Sequence, residues 1–188
     1  MSLYRLRIII DGSYLFSVFK PYRTEGYHYS VKRMVRRLSE DYNLLGVHYF
    51  GSWNSFDENL RKKQEGYYYG ILRDKHGYEV KILPLQWIDG ILKEKGMDVA
   101  LGVRLKELSN ANAFDTAILV AADGDFSDTV KEVKASGRKV INAYFSIRRS
   151  YDLQQACGSW IRLDSIDMVY PKGDPSQLIS LSSISSSI

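Results

Sequence analysis

One cysteine, Cys157, in 188 residues excludes an intramolecular disulfide and any cysteine-rich zinc site, and fits a reducing compartment. It reads as a small buried side chain. No run approaches the ~18 consecutive apolar residues of a membrane span. The apolar stretch around Ile8, Ile9 and Ile10 is short and runs straight into Asp11, unlike a signal peptide. A soluble, cytoplasmic protein with no membrane partner is expected. The three histidines, His28, His48 and His76, lack zinc-pair spacing, and neither a GxxxxGK[ST] nor a GxGxxG loop is present. P-loop hydrolysis and dinucleotide binding are therefore disfavoured. Charge of one sign is also in short supply: 26 basic against 22 acidic residues give +4 and a pI near 9.0. That balance is compatible with a polyanionic partner without demanding one.

What the chain has is apolar content, 45%, enough for one substantial core. Five short segments rich in β-branched and aromatic residues read as strands: 6–11, 46–51, 78–83, 116–122 and 138–145. The first and fourth are almost continuously apolar, as in strands covered on both faces of a parallel sheet. Between them, 30–42, 57–74, 98–110, 126–135 and 150–157 carry helical spacing. In the first, Val31, Val35, Leu38 and Tyr42 share a face opposite Lys32, Arg33, Arg36 and Arg37. Alternating strands and helices predict a three-layer α/β/α Rossmannoid sandwich with a mostly parallel central sheet. The expected domain spans 1–170. Residues 171–188 read as a serine-rich tail, with seven serines and no charge from Ser176 onward.

In parallel sheets ligands gather at the carboxyl ends of the strands. Asp11 closes the first strand before Gly12, and Asp123 and Asp125 flank Gly124 directly after the fourth. Asp98 opens a helical pattern after Gly96, so its carboxylate can join the same edge. Four converging carboxylates repel one another unless a cation neutralises them, and an all-oxygen set favours Mg²⁺ or Mn²⁺. Each acid also has a structural reading: Asp98 and Asp125 as helix N-caps, Asp123 as an Asx turn. Asp11 is harder to dismiss, because burying a carboxylate at the end of an apolar strand is costly.

Taken in order, IIIDGSYLF, LGVHYF, ILRDKHGYEVKILPL, KGMDVALGVRL, AILVAADGDFSDTVKEVKASGRKV and SYDLQQAC resemble the NYN domains, LabA-type proteins of the PIN-like nuclease superfamily, over about residues 5–165. The resemblance implies a Mg²⁺- or Mn²⁺-dependent ribonuclease with Asp11, Asp98, Asp123 and Asp125 as metal ligands and catalytic residues, leaving 5′-phosphate products. Three positions depart from the family pattern. Tyr14 stands where the family has asparagine, Arg104 where a second aspartate of the KGxDV helix is common, and Gly158 where an aspartate follows the SxxLxxAC stretch. Ala121 and Ala122 replace a serine and a glycine before DGD. Arg104 can stand in for part of a metal's charge, grip a phosphate, or point into solvent.

Ser13, Tyr14, Lys95 and Arg104 are the candidate substrate-binding residues. Arg61, Lys62 and Lys63 with Tyr67, Tyr68 and Tyr69 offer a surface for single-stranded RNA, or else a helix that buries Leu60, Tyr67 and Ile71. The pair Arg148 and Arg149 can flank the same edge. Pairing into a homodimer is compatible with a domain of this size. Two other functions remain in view: a binding module that has lost its ligands at Tyr14, Arg104 and Gly158, and a phosphatase, whose DxD motif is broken by Ser13.

Overall fold

The computed structural model describes residues 4–185. Its centre is a six-stranded sheet in the order β4-β3-β1-β7-β8-β9, with every pairing parallel. These are β1 (Arg5–Asp11), β3 (Asn43–Trp53), β4 (Glu79–Pro84), β7 (Thr116–Val120), β8 (Lys139–Tyr144) and β9 (Trp160–Arg162). The chain builds outward from β1 through β3 to β4, then returns to place β7 on the other flank of β1 and continues to β8 and β9. The direction of winding therefore reverses between β1 and β7, and a crevice opens there beyond the carboxyl ends.

Side-chain alternation divides the core into two layers. From β1, Leu6, Ile8 and Ile10 face one layer with α1 (Gly12–Thr24) and α2 (Val31–Leu38), while Ile9 faces the other. That second layer receives Met97, Leu101, Leu105 and Leu108 of α4 (Met97–Asn110), Phe126, Val130 and Val133 of α5 (Phe126–Ala135), and Leu153 and Ala156 of α6 (Tyr151–Cys157). The three-layer sandwich and the five sequence-predicted strands are thus present. Cys157 is buried in this second layer, and burial pushes its thiol up to about 12.

Several elements differ from the sequence expectation. The segment 12–24 forms α1, because Asp11 caps it by accepting from the Tyr14 amide at 2.9 Å. The stretch 57–74 is not one α-helix: α3 (Glu58–Glu65) passes into a π-helical segment, Gly66–Lys75. Within the π-helical segment Leu72 is buried and Ile71 exposed, and Leu60 of α3 is exposed as well. Tyr67 and Tyr68 pack against the core and cannot serve as an open stacking surface.

Two small antiparallel pairs were also missed. β2 (Tyr27–Tyr29) pairs with β10 (Val169–Pro171). The hairpin β5 (Gln86–Ile88) and β6 (Ile91–Lys93) turns on Asp89 and Gly90, both at positive φ. In the serine-rich tail, Ile179 bridges Val169, and Leu181 and Ile184 of α7 (Leu181–Ser185) are buried against the core. The tail's last three residues lie outside the described residues. Among the described residues no helix is long and apolar enough to cross a membrane.

Candidate metal and catalytic centre

Asp11 sits at the end of β1, paired across to Phe50 of β3 and next to the end of β7, at the point where the winding reverses. Gly12 behind it is required by contact. A Cβ there would meet the Phe50 carbonyl oxygen and the Tyr49 hydroxyl, each at 2.5 Å. The strand can turn into α1 beneath β3 only without a side chain. One Asp11 oxygen accepts from the Tyr14 amide. Burial raises its pKa to about 6, helped by the negative fields of Glu94 and Asp98.

Asp98 lies in the first turn of α4, which starts from Gly96 at φ +78. Its pKa is raised by partial burial first, and then by Asp123, Glu94 and Asp125. The side-chain charges that act most strongly on Asp11 and Asp98 are all carboxylates. The sequence-predicted acids therefore converge electrostatically. Asp123 also takes its expected local role, accepting from the Asp125 amide at 2.9 Å as an Asx turn. Asp125 occupies the position before α5 without capping it, which leaves its carboxylate for another purpose.

Glu94, overlooked in the sequence, belongs to this cluster. It follows β6 and accepts from Ser13 Oγ at 2.8 Å and from Ser52 Oγ, so it spans the carboxyl ends of β1 and β3. A signal was available, since Glu94 and Asp98 bracket the same glycine in KEKGMD. Asn142 of β8 is a second overlooked residue. Its amide donates to the Leu119 and Ala121 carbonyls, at 3.2 and 2.9 Å, and so fixes the chain immediately before Asp123. Asp152 lies close by, its Oδ2 3.7 Å from where a Gly124 Cβ would be.

The candidate substrate residues fare differently. Ser13 faces the cluster, with its hydroxyl engaged by Glu94. Lys95 is exposed between Glu94 and Gly96. Tyr14 points into the core instead: its hydroxyl donates to the Arg148 carbonyl at 2.8 Å and accepts from the Phe145 amide at 2.7 Å. It ties α1 to the loop before α6 and has no hydroxyl to spare for substrate. Arg104 neither joins the acids nor faces a phosphate site, and of its three expected roles the one on the solvent side of the helix comes nearest. It forms ion pairs with Glu79 at 2.6 Å and Glu107 at 3.3 Å on the far side of α4. Gly158 ends α6 at φ +72, a conformation natural to glycine.

An oxygen-only, negatively charged set suits a hard divalent ion in donor chemistry. Among the described residues, however, no three acidic, histidine or cysteine side chains stand close enough together to hold one. The carboxylates feel one another's charge without forming a closed cage.

One solved structure agrees with the fold. A protein of unknown function from Vibrio parahaemolyticus superposes with a TM-score of 0.68 at 22% identity, over 88% of this chain and 96% of that one. A putative oxidoreductase from Parabacteroides merdae reaches 0.37 at 11% identity, over 87% and 33%. A nicotinamidase from Staphylococcus aureus reaches 0.33 at 11%, over 84% and 90%. No curated protein matches. The family model of the NYN domain matches residues 5–164.

Proposed function

The chain belongs to the NYN domain family of nuclease-like proteins, and on that premise we propose that it is a metal-dependent ribonuclease that hydrolyses RNA phosphodiester bonds at the Asp11 cluster. The observation that carries this reading is the gathering of Asp11, Glu94, Asp98, Asp123 and Asp125 at the reversal of the sheet, where the charges acting most on Asp11 and Asp98 are other carboxylates. Such an arrangement is unfavourable for folding, and a bound cation would offset that cost.

The candidate ligands for Mg²⁺ or Mn²⁺ are Asp11, Asp98, Asp123 and Asp125, which would have to draw closer together than they stand here to hold it. When bound, the ion supplies Lewis-acid stabilisation of phosphate charge and lowers the pKa of a coordinated water. The protein's own share is positional. Gly12 and the α1 cap fix Asp11, the Asx turn and Asn142 fix the DGD loop, and Glu94 braces the loop before α4.

A second reading is favoured by the open spacing of the acids and by the core role of Tyr14: an NYN fold that binds RNA or protein without turnover. Incubating labelled RNA with wild type and Asp11→Asn in Mn²⁺, Mg²⁺ or EDTA separates the two. Metal-dependent cleavage lost in the variant is the expected result. A folded wild type inert on several RNAs supports the binding module.

A further inference from the structure

A groove of about 520 Å³ opens at the carboxyl ends of β3 and β4, lined by Trp53, Ser55, Phe56, Glu58, Arg61 and Pro84. We propose that it binds the unpaired bases of a single-stranded RNA and so feeds the strand to the acids. This deepens the nuclease reading and rests on it.

Position is the first argument. Trp53 and Pro84 are the last residues of β3 and β4, at the same carboxyl edge as Asp11. Asp11 pairs with Phe50, so Trp53 stands three residues beyond it, roughly 10 Å at the rise of a strand. Ser52, beside Trp53, donates to Glu94, which couples the groove wall to the cluster.

The side chains form the second argument. Phe56 and Trp87 are 59% and 58% exposed and meet edge to face at 5.8 Å. Large aromatic faces left in water are costly unless a partner covers them. Phe56 is held in place because the Asn54 side chain accepts from its amide at 2.9 Å. Trp53 meets Tyr69 edge to face at 6.0 Å, and the Arg73 guanidinium lies 4.6 Å over the Tyr69 ring. Aromatic faces interleaved with guanidinium groups are the surface on which single-stranded bases stack.

Charge is the third. Arg61 lines the groove alongside Glu58, and Lys63 of α3, Lys93 of β6 and Lys95 before α4 are exposed, cations of the kind a phosphate backbone requires. A duplex keeps its bases stacked on one another and cannot offer them to Phe56 or Trp87.

The test is fluorescence anisotropy of a short labelled oligouridine with the full chain in EDTA, where binding is read without cleavage. Phe56→Ala and Trp87→Ala should each weaken binding by about tenfold, with thermal midpoints unchanged because both side chains are exposed. Trp160→Ala, exposed on the opposite sheet edge, should bind as wild type, and an RNA duplex should compete poorly. Wild-type affinity in both groove variants, or equal competition by duplex, overturns the proposal. So does a wild-type dimer that the groove variants split in sedimentation, which would make a second copy the occupant. A groove that behaves as expected in a protein that never cleaves RNA would refute the nuclease reading and leave the groove standing.

Discussion

Asp11 is a carboxylate that ends a strand of Leu6, Ile8, Ile9 and Ile10, all fully buried, and its two demands conflict. As the cap of α1 it must be present, and as a buried charge near Glu94 and Asp98 it is penalised. Its folded pKa, about 6, exceeds the unfolded value of about 4. Between those values the folded chain holds a proton that the unfolded chain has released, so stability falls as pH rises and the full cost remains above about 6. Asparagine caps as well as aspartate. Asp11→Asn in EDTA at pH 7.5 should therefore raise stability by on the order of 2 kcal/mol in urea titrations, a gain that vanishes below about pH 4. Mn²⁺ should raise the melting temperature of wild type and leave the variant unmoved. Gly12→Ala should do the reverse in any buffer. Its methyl meets a β3 carbonyl that cannot move aside, and destabilisation by about 3 kcal/mol or more is expected from calorimetry. The convergence of Asp11, Asp98, Asp123 and Asp125 on one edge was legible because each stands at a strand or helix end within two residues of a glycine. Glu94 and Asn142 were not, since each acts through a hydrogen bond to a residue distant in sequence.

Between α4 and the strands β3 and β4, a separate polar network takes the place of core. His48 is 2% exposed. Arg7 Nη1 lies 3.4 Å from its Nε2, which assigns that nitrogen as acceptor and lets Nδ1 donate to Glu79 at 3.2 Å, while Arg104 holds Glu79 from α4. Burial lowers the His48 pKa to about 4 despite Glu79, with Arg104 and Arg7 adding to the shift, so the ring is neutral. Below about pH 6.5 the unfolded chain gains a proton that the folded chain refuses, and stability falls as pH drops from about 6.5 to 4. His48→Gln should flatten that part of the stability profile, measured by urea midpoints across the range. Helices α4, α5 and α6 were legible from their spacing. The β5–β6 hairpin had a readable turn in Asp89-Gly90 between two isoleucines, but its strands are too short for alternation to show. The π-helical segment was read as part of one helix over 57–74, because sequence spacing does not separate its wider winding from an α-helix over so short a stretch.

At the scale of the whole molecule, function depends on one topological fact: β7 returns to the flank of β1 that β3 leaves free. That return brings residues more than a hundred positions apart to one edge. Neither the strand order nor the docking of Leu181 and Ile184 onto the core is written in local pattern, whereas the alternation that implies a parallel sandwich is. Arg104 shows the limit of reading a site by family position, since its helix turns it toward Glu79 and away from the acids. The central claim is that the acids at this reversal point are a cation site. The most direct test is an anomalous difference map from a crystal of the wild-type chain soaked in Mn²⁺. A peak among the carboxylates of Asp11, Asp98, Asp123 and Asp125 is the expected result. A map with no peak there, or with manganese only at His48 and Glu79, would contradict it.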